Sequence, residues 1–328
     1  PSGGGPDILY GAHDWIGELN ASGLLTPVDL SAKLDSFAPA AVQGFTFTDG
    51  QTYGMPTAVE NVAFCINTDL VPEENFPATW DDVKALSQEI KDAGQADYGF
   101  AIMESDGYIF YPIQTAFGGY VFGKNADGSY NAADLGINSE GTVAAFDWLD
   151  GMYADSLLNR NAALTGDLVS NLFYSGDAAM IICGPWLLNG MREAGVPYAI
   201  TDIPAGTEEG RPFLGVRGFM INAFSPNQLL AQTFLDQFVA TDETMQALFE
   251  ADPRPSAWNT VAAATEDPDI AAYVSAGANG DPMPNIPEMN SVWQSWGNAM
   301  TLISQGKQTP QEALDAAQTQ IEGAISGN

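Results

Sequence analysis

Apolar positions along the chain switch between two rhythms, and the switches mark an alternation of strands and helices. Near the start, GPDILYGAHD gathers its apolar residues into one short run behind glycines, which predicts a strand. FTFTDGQTYGMP alternates around Asp49-Gly50, a pair suited to a tight turn, and reads as a hairpin. TAVENVAFCIN follows without a helical period, as a long extended stretch. Helices are marked by their starts. Thr79-Trp80-Asp81-Asp82 is a Ser/Thr-x-x-acid start ahead of Val83, Leu86 and Ile90. Ser225-Pro226 places a cap and then a first-turn proline ahead of Leu230, Phe234, Leu235 and Phe238. Thr309-Pro310-Gln311-Glu312 is a full capping box ahead of Leu314, Ala317, Ile321 and Ile325. All three helices are expected to be amphipathic and to pack at the surface. The fold class is therefore α/β. Extended segments at 57–65 and 211–222 flank a span long enough to be a domain, so both are expected to cross between two lobes joined by a hinge with a ligand cleft.

Length and charge narrow the picture. A chain of 328 residues exceeds what one small core organises and suits two lobes. No run of eighteen uncharged apolar residues occurs, so no transmembrane segment is expected. PSGGGPDILYG has no basic region followed by an apolar stretch, so a signal peptide is either removed or lies ahead of where the chain starts. The net charge is −32, yet only 16% of residues are charged, so the imbalance comes from a shortage of bases. Such a surface repels nucleic acid and anionic membranes, which leaves solubility or a cationic ligand as its meaning. Cys65 and Cys183 each sit in a strand-like apolar stretch, and sequence leaves their pairing open. One histidine and two separated cysteines do not make a zinc site, so no metal and no cofactor are expected. No Walker or G-x-S-x-G motif is present, and His13 beside Asp14 reads as a packing or hydrogen-bonding histidine.

Spaced motifs then carry a resemblance. GPDILYGAHDWIGELNASGLL, YGMPTAVE, AMIICGPW, FLGVRGFMINAFSPN, PMPNIPEMNSVW and GKQTPQEALDAAQTQI resemble, in that order, segments of the maltose/maltodextrin-binding proteins of ABC transporters, within the extracellular solute-binding family 1. The resemblance implies a periplasmic-binding-protein-like fold of two lobes joined by crossing strands. Residues 1–58 plus 213–268 would form the N-terminal-type lobe, and 59–212 plus 269–328 the C-terminal-type lobe. It implies a monomer that is not an enzyme, that closes on a neutral oligosaccharide, and that delivers it to permease subunits of an ABC transporter. Its place would be extracytoplasmic, periplasmic or lipid-anchored at the cell surface. The family opens with a strand–helix–strand unit ahead of the segment that starts here, so the first lobe is expected to be incomplete.

A sugar site needs flat aromatic faces for the C–H side of a pyranose and carboxylates for its hydroxyls. The resemblance puts Asp14, Glu60, Tyr108, Trp186, Met283 and Trp293 at sugar-binding positions, and Glu104 and Asp106 both fit a neighbouring acid. Glu60 is the strongest of the acids, because a carboxylate in an apolar strand is costly without a partner. Other positions depart from the family. Gly11 stands where it has a stacking tryptophan and Trp15 where it has an arginine, so the aromatic surface is expected to move along this loop. Gly166 replaces a tyrosine and Gly297 an arginine, with Trp296 a candidate to compensate. Arg217 is expected to reach into the cleft or to brace an acid such as Glu60. Two further readings stand beside the sugar carrier: a glycoside hydrolase using Asp14 and Glu60, and a cation or polyamine binder.

Overall fold

The computed structural model describes residues 5–327; residues 1–4 and 328, the outermost ends of the two expected lobes, lie outside it. The chain divides into two compact units, Pro1–Asn61 with Leu214–Val274 and Pro282–Asn290, and Val62–Phe213 with Ser275–Asp281 and Ser291–Asn328. These boundaries differ from those read in the sequence at 59–61, 213, 269–274 and 282–290. Local bonds explain the last difference. Met283 donates its N–H to the Leu214 carbonyl, and the Asn285 amide donates to the carbonyls of Gly44 and Thr46, all within the first unit.

The first unit is organised around the strand Phe213–Asn222, most of whose residues belong to it. Ile8–Ala12 pairs antiparallel with it in a register that sets Tyr10 opposite Phe219 and Gly11 opposite Gly218. Met55–Glu60 pairs antiparallel as well, with a shift in register between Arg217 and Gly218. The extended stretch expected over 57–67 is two strands rather than one: Met55–Glu60 ends in this sheet, and Ala63–Asn67 belongs to the sheet of the second unit. Two apolar clusters pack in this unit. Met55, Ile221, Leu235 and Trp258 belong to one, and Ile16, Phe45, Val216 and Met220 to the other. At Asp49-Gly50 the chain makes the expected tight turn, with Gly50 at φ 78° and the Gln51 N–H donating to Asp49. An isolated Thr46–Thr52 bridge flanks it, and the Phe47 N–H donates to the Gln51 carbonyl and the Tyr53 N–H to the Phe45 carbonyl.

Ser225 does not cap a helix that starts at Pro226. Its hydroxyl donates to Asp7 and accepts from the Asn227 N–H, and the helix begins at Gln228. It runs to Phe234 and continues as a π-turn over Leu235–Val239. Leu235 is buried, while Leu230, Phe234 and Phe238 stay exposed.

The second unit holds a four-stranded sheet in the order Tyr98–Ala101, Ala178–Cys183, Ala63–Asn67, Tyr198–Thr201; the first pair is parallel and the others antiparallel. AFCIN and AAMIIC are buried at every position, as strands covered on both faces must be. Cys65 and Cys183 are joined in a disulfide with Cα atoms 5.8 Å apart, which closes the question the sequence left open. Both capping boxes form as expected, at Thr79/Asp82 for Trp80–Ala93 and at Thr309/Glu312 for Pro310–Ser326. No helix among the described residues is long and apolar enough to cross a membrane.

Candidate ligand-binding residues

In the first unit the candidates cluster where Ile8–Ala12 gives way to the helix Trp15–Ala21. His13 fixes this corner. Its backbone N–H donates to the Val216 carbonyl, its Nδ1 accepts from the Val216 N–H at 3.0 Å, and its Nε2 donates to the Met283 carbonyl at 2.9 Å. Burial drives its pKa down to about 4 against these backbone bonds, so the ring is neutral and structural, as the sequence suggests. Asp14 stands at the N-cap position, but its side chain makes no capping bond. Trp15 is 47% exposed, and its ring lies over the α-carbon of Gly11. The indole thus occupies the space that a side chain at residue 11 would fill.

Glu60, at the end of its strand, is only 7% exposed and pairs with Arg254, which also donates from Nε to Asp252 at 2.7 Å. This corrects one of the two expectations for Arg217, that it braces Glu60. The residue that braces Glu60 is Arg254, and Arg217 instead sets its guanidinium over the Tyr10 ring, 5.1 Å from the centroid. Arg217 pairs with Ala12 on one side and Ala58 on the other, so Tyr10 and Glu60 are both its diagonal neighbours, and its guanidinium lies over Tyr10. Met283 is buried, and its contribution to this corner is the carbonyl that holds His13. Beside Arg254 lies a cavity of about 320 Å³ walled by Tyr10, Thr57, Phe219, Leu248 and Ser256, among others.

In the second unit a cavity of about 290 Å³ is lined by Met103, Asp106, Gly166, Ser170, Gly184 and Trp186, among others. It stands differently to the two neighbouring acids. Asp106 lines the cavity while accepting from the Tyr108 and Ile109 N–H groups at the start of Gly107–Ala116. Glu104 is engaged elsewhere, accepting from the Tyr153 and Ser304 hydroxyls at 3.0 and 3.3 Å. Burial raises the pKa of both acids; for Asp106 the two backbone donors oppose the rise, and for Glu104 the two hydroxyls do. Trp186 is thrust out by the Gly184-Pro185 turn after Ala178–Cys183 and remains 36% exposed. Gly166 leaves room in the cavity wall, where a Cβ would touch only the Met103 sulfur.

An aromatic series runs on from Trp186. Tyr108 lies 6.2 Å from it by ring centroids, Phe213 lies 6.3 Å from Tyr108, and Trp293 lies 6.4 Å from Phe213. Trp293 is half-buried and stacks on Trp296 at 6.0 Å. Trp296 is fully buried, with the α-carbon of Gly107 against its ring, so it backs Trp293 and offers no open face of its own. Gly297 packs against the Ser105 carbonyl, where a Cβ would come within 2.6 Å of the oxygen. Sequence reading missed Arg254 and Phe213. The bases are few enough to count, so Arg254 was findable as a partner for Glu60; Phe213 carried no signal beyond its place in an apolar strand.

The profile of bacterial extracellular solute-binding proteins matches residues 1–278. This chain belongs to that family. The galactooligosaccharide-binding protein of Bacillus subtilis is 34% identical over 339 aligned positions, covering 99% of this chain and 78% of its own length. The maltodextrin-binding protein MdxE of the same organism is 30% identical, covering 99% of this chain and 79% of its own. The maltotriose-binding protein of Pyrococcus abyssi is 28% identical over 89% of this chain and 64% of its own. The relatives are thus binding proteins, and the solute-binding fold with its two α/β units is the family's.

Proposed function

We propose that this solute-binding protein captures a neutral oligosaccharide of α-glucosyl or galactosyl units for an ABC importer and does not alter it chemically. The observation that carries the reading is a cavity whose wall includes both Asp106 and Trp186. An indole face takes the C–H side of a pyranose, and a carboxylate accepts from its hydroxyls. Asp14, Trp15, Glu60 and, behind it, Arg254 offer the same chemistry on the first unit, with Tyr108 and Trp293 extending the aromatic surface on the second. Relatives that bind galactooligosaccharide, maltodextrin and maltotriose support the same class of ligand. Permease subunits are the partners that follow from an importer.

Calorimetric titration with maltotriose and with a galactosyl trisaccharide tests the reading. Saturable binding of either supports it, and whichever binds tighter names the unit; silence with both rejects it. Binding of a neutral sugar should change little between low and high salt, whereas a polyamine's affinity would fall steeply. Release of nitrophenol from aryl glycosides would replace the carrier with a hydrolase. Small-angle scattering tests the closure expected from the sequence: a radius of gyration that falls on adding sugar supports it, and an unchanged one rejects it.

A further inference from the structure

Two exposed tryptophans share an unusual support. A Cβ on Gly11 would fall 2.3 Å from Cζ3 and 2.4 Å from Cε3 of Trp15, and a Cβ on Gly184 would fall 2.2 Å from Cη2 and 2.3 Å from Cζ3 of Trp186. No side chain larger than hydrogen fits at either position unless the indole moves. The usual reason for a glycine is missing at both. Neither has a positive φ: Gly184 is at φ −117° and ψ 166°, and Gly11 lies inside a regular strand ladder. Gly11 lies within a strand, which a glycine weakens, so it marks a close approach by another group; Gly184 stands just past Ala178–Cys183 in an extended conformation that any residue adopts. Here the approaching group is an indole in each case.

The third tryptophan on a glycine shows what is distinctive. Trp296 lies on Gly107 and is fully buried, so there the missing Cβ lets a ring into the core. Trp15 and Trp186 keep 47% and 36% of their surface open, so their glycines do not bury them. Each glycine instead supports the indole on one side while much of its surface stays open. A loop tryptophan without such a seat samples several rotamers, and that freedom must be given up when a ligand stacks on it.

We propose that Gly11 and Gly184 are positioning residues that set Trp15 and Trp186 as preformed stacking platforms for the ligand. The proposal rests on the sugar reading given above and goes further by naming what fixes each platform. In the first unit the platform belongs to a place, the space over the α-carbon of residue 11, and the indole that fills it comes from four residues along the chain. A tryptophan attached at residue 11 itself would fill the same place if residue 15 vacated it.

The test compares the parent chain with Gly11→Ala, Gly184→Ala, Trp15→Ala, Trp186→Ala and the double variant Gly11→Trp/Trp15→Gly. Affinity is measured by calorimetry with maltotriose and the galactosyl trisaccharide, alongside melting temperature and the sugar-induced change in tryptophan fluorescence. Each alanine at a glycine is expected to weaken binding about tenfold, near the upper end of what an aromatic contact is worth. The melting temperature should hardly change, and the fluorescence response should shrink in step with affinity. The double variant should recover affinity that Gly11→Ala loses, which a merely structural glycine would not produce. If the parent binds sugar and both glycine variants bind equally well, this proposal is overturned while the sugar reading stands. If the parent binds neither sugar, the sugar reading falls and takes this proposal with it.

Discussion

Single residues decide most of the chemistry, and two of them make firm predictions. Arg254 is the counter-charge of a nearly buried Glu60. Arg254→Ala leaves that carboxylate buried without its cation, and unfolding in urea should show a loss of about 3–5 kcal/mol. Arg254→Lys should recover part of it, since a lysine restores the charge but not the forked geometry. His13 makes the second prediction. Its folded pKa is near 4 against 6.5 for a free histidine, so between those values the unfolded chain holds a proton that the folded chain refuses. Its contribution is therefore present in full above pH 6.5 and is lost as the pH falls toward 4, by about 3 kcal/mol in total. His13→Gln, which keeps a donor and an acceptor but no titration, should flatten that part of the stability–pH curve; an unchanged slope would show that other groups cause it. Residue chemistry was partly legible in the sequence. Glu60 announced itself as a carboxylate in an apolar strand, and Trp186 by the turn that ends its own. Arg254 was findable only by counting bases, because 194 residues separate it from its partner and an isolated Ala58–Ser256 bridge holds its loop against the strand of Glu60. Nor could sequence reveal that Trp15 lies back over Gly11, since a rotamer leaves no periodic trace.

At the scale of elements, the helices that bonded their own starts were read correctly, and the one that did not was misplaced. Thr309 and Glu312 satisfy each other's backbone N–H groups, a local arrangement fixed by four consecutive residues. Thr309→Ala should cost about 1 kcal/mol, measurable as a lower urea midpoint with an unchanged slope. Ser225 carried the same kind of signal, but its hydroxyl is taken by Asp7, 218 residues away, and the helix starts later. A tertiary bond overrode a local preference. The same limit applies to strands: the apolar run from 57 to 67 reads as one extended stretch, and nothing in its periodicity marks Asn61 as the point where one sheet ends and the next begins.

Across the whole molecule, scarcity of bases is the dominant electrostatic fact. Of 10 lysines and arginines, Lys33, Lys84, Lys124, Arg160, Arg211 and Arg254 are all engaged in ion pairs. Asp281 shows the consequence: burial would raise its pKa, but Lys124 and Arg211 together hold it below the ordinary value. Most of the 42 acids have no such partner in reach of so few cations and repel one another. Added salt screens that repulsion, so the melting temperature should rise between low and moderate ionic strength. A flat or falling trend would mean that the paired cations matter more than the unpaired acids.

The bond between Cys65 and Cys183 encloses 117 intervening residues, since the two positions are 118 apart. Any cut made inside that span, in the exposed turn around Asp127 and Gly128 for instance, leaves two fragments still tied by covalent bonds. A protease that nicks the chain there would produce a molecule of unchanged mass apart from one added water. On a denaturing gel it should run as one band without reductant and as two with it. For a protein that works outside the cytoplasm, damage within about a third of its length need not mean loss of the piece.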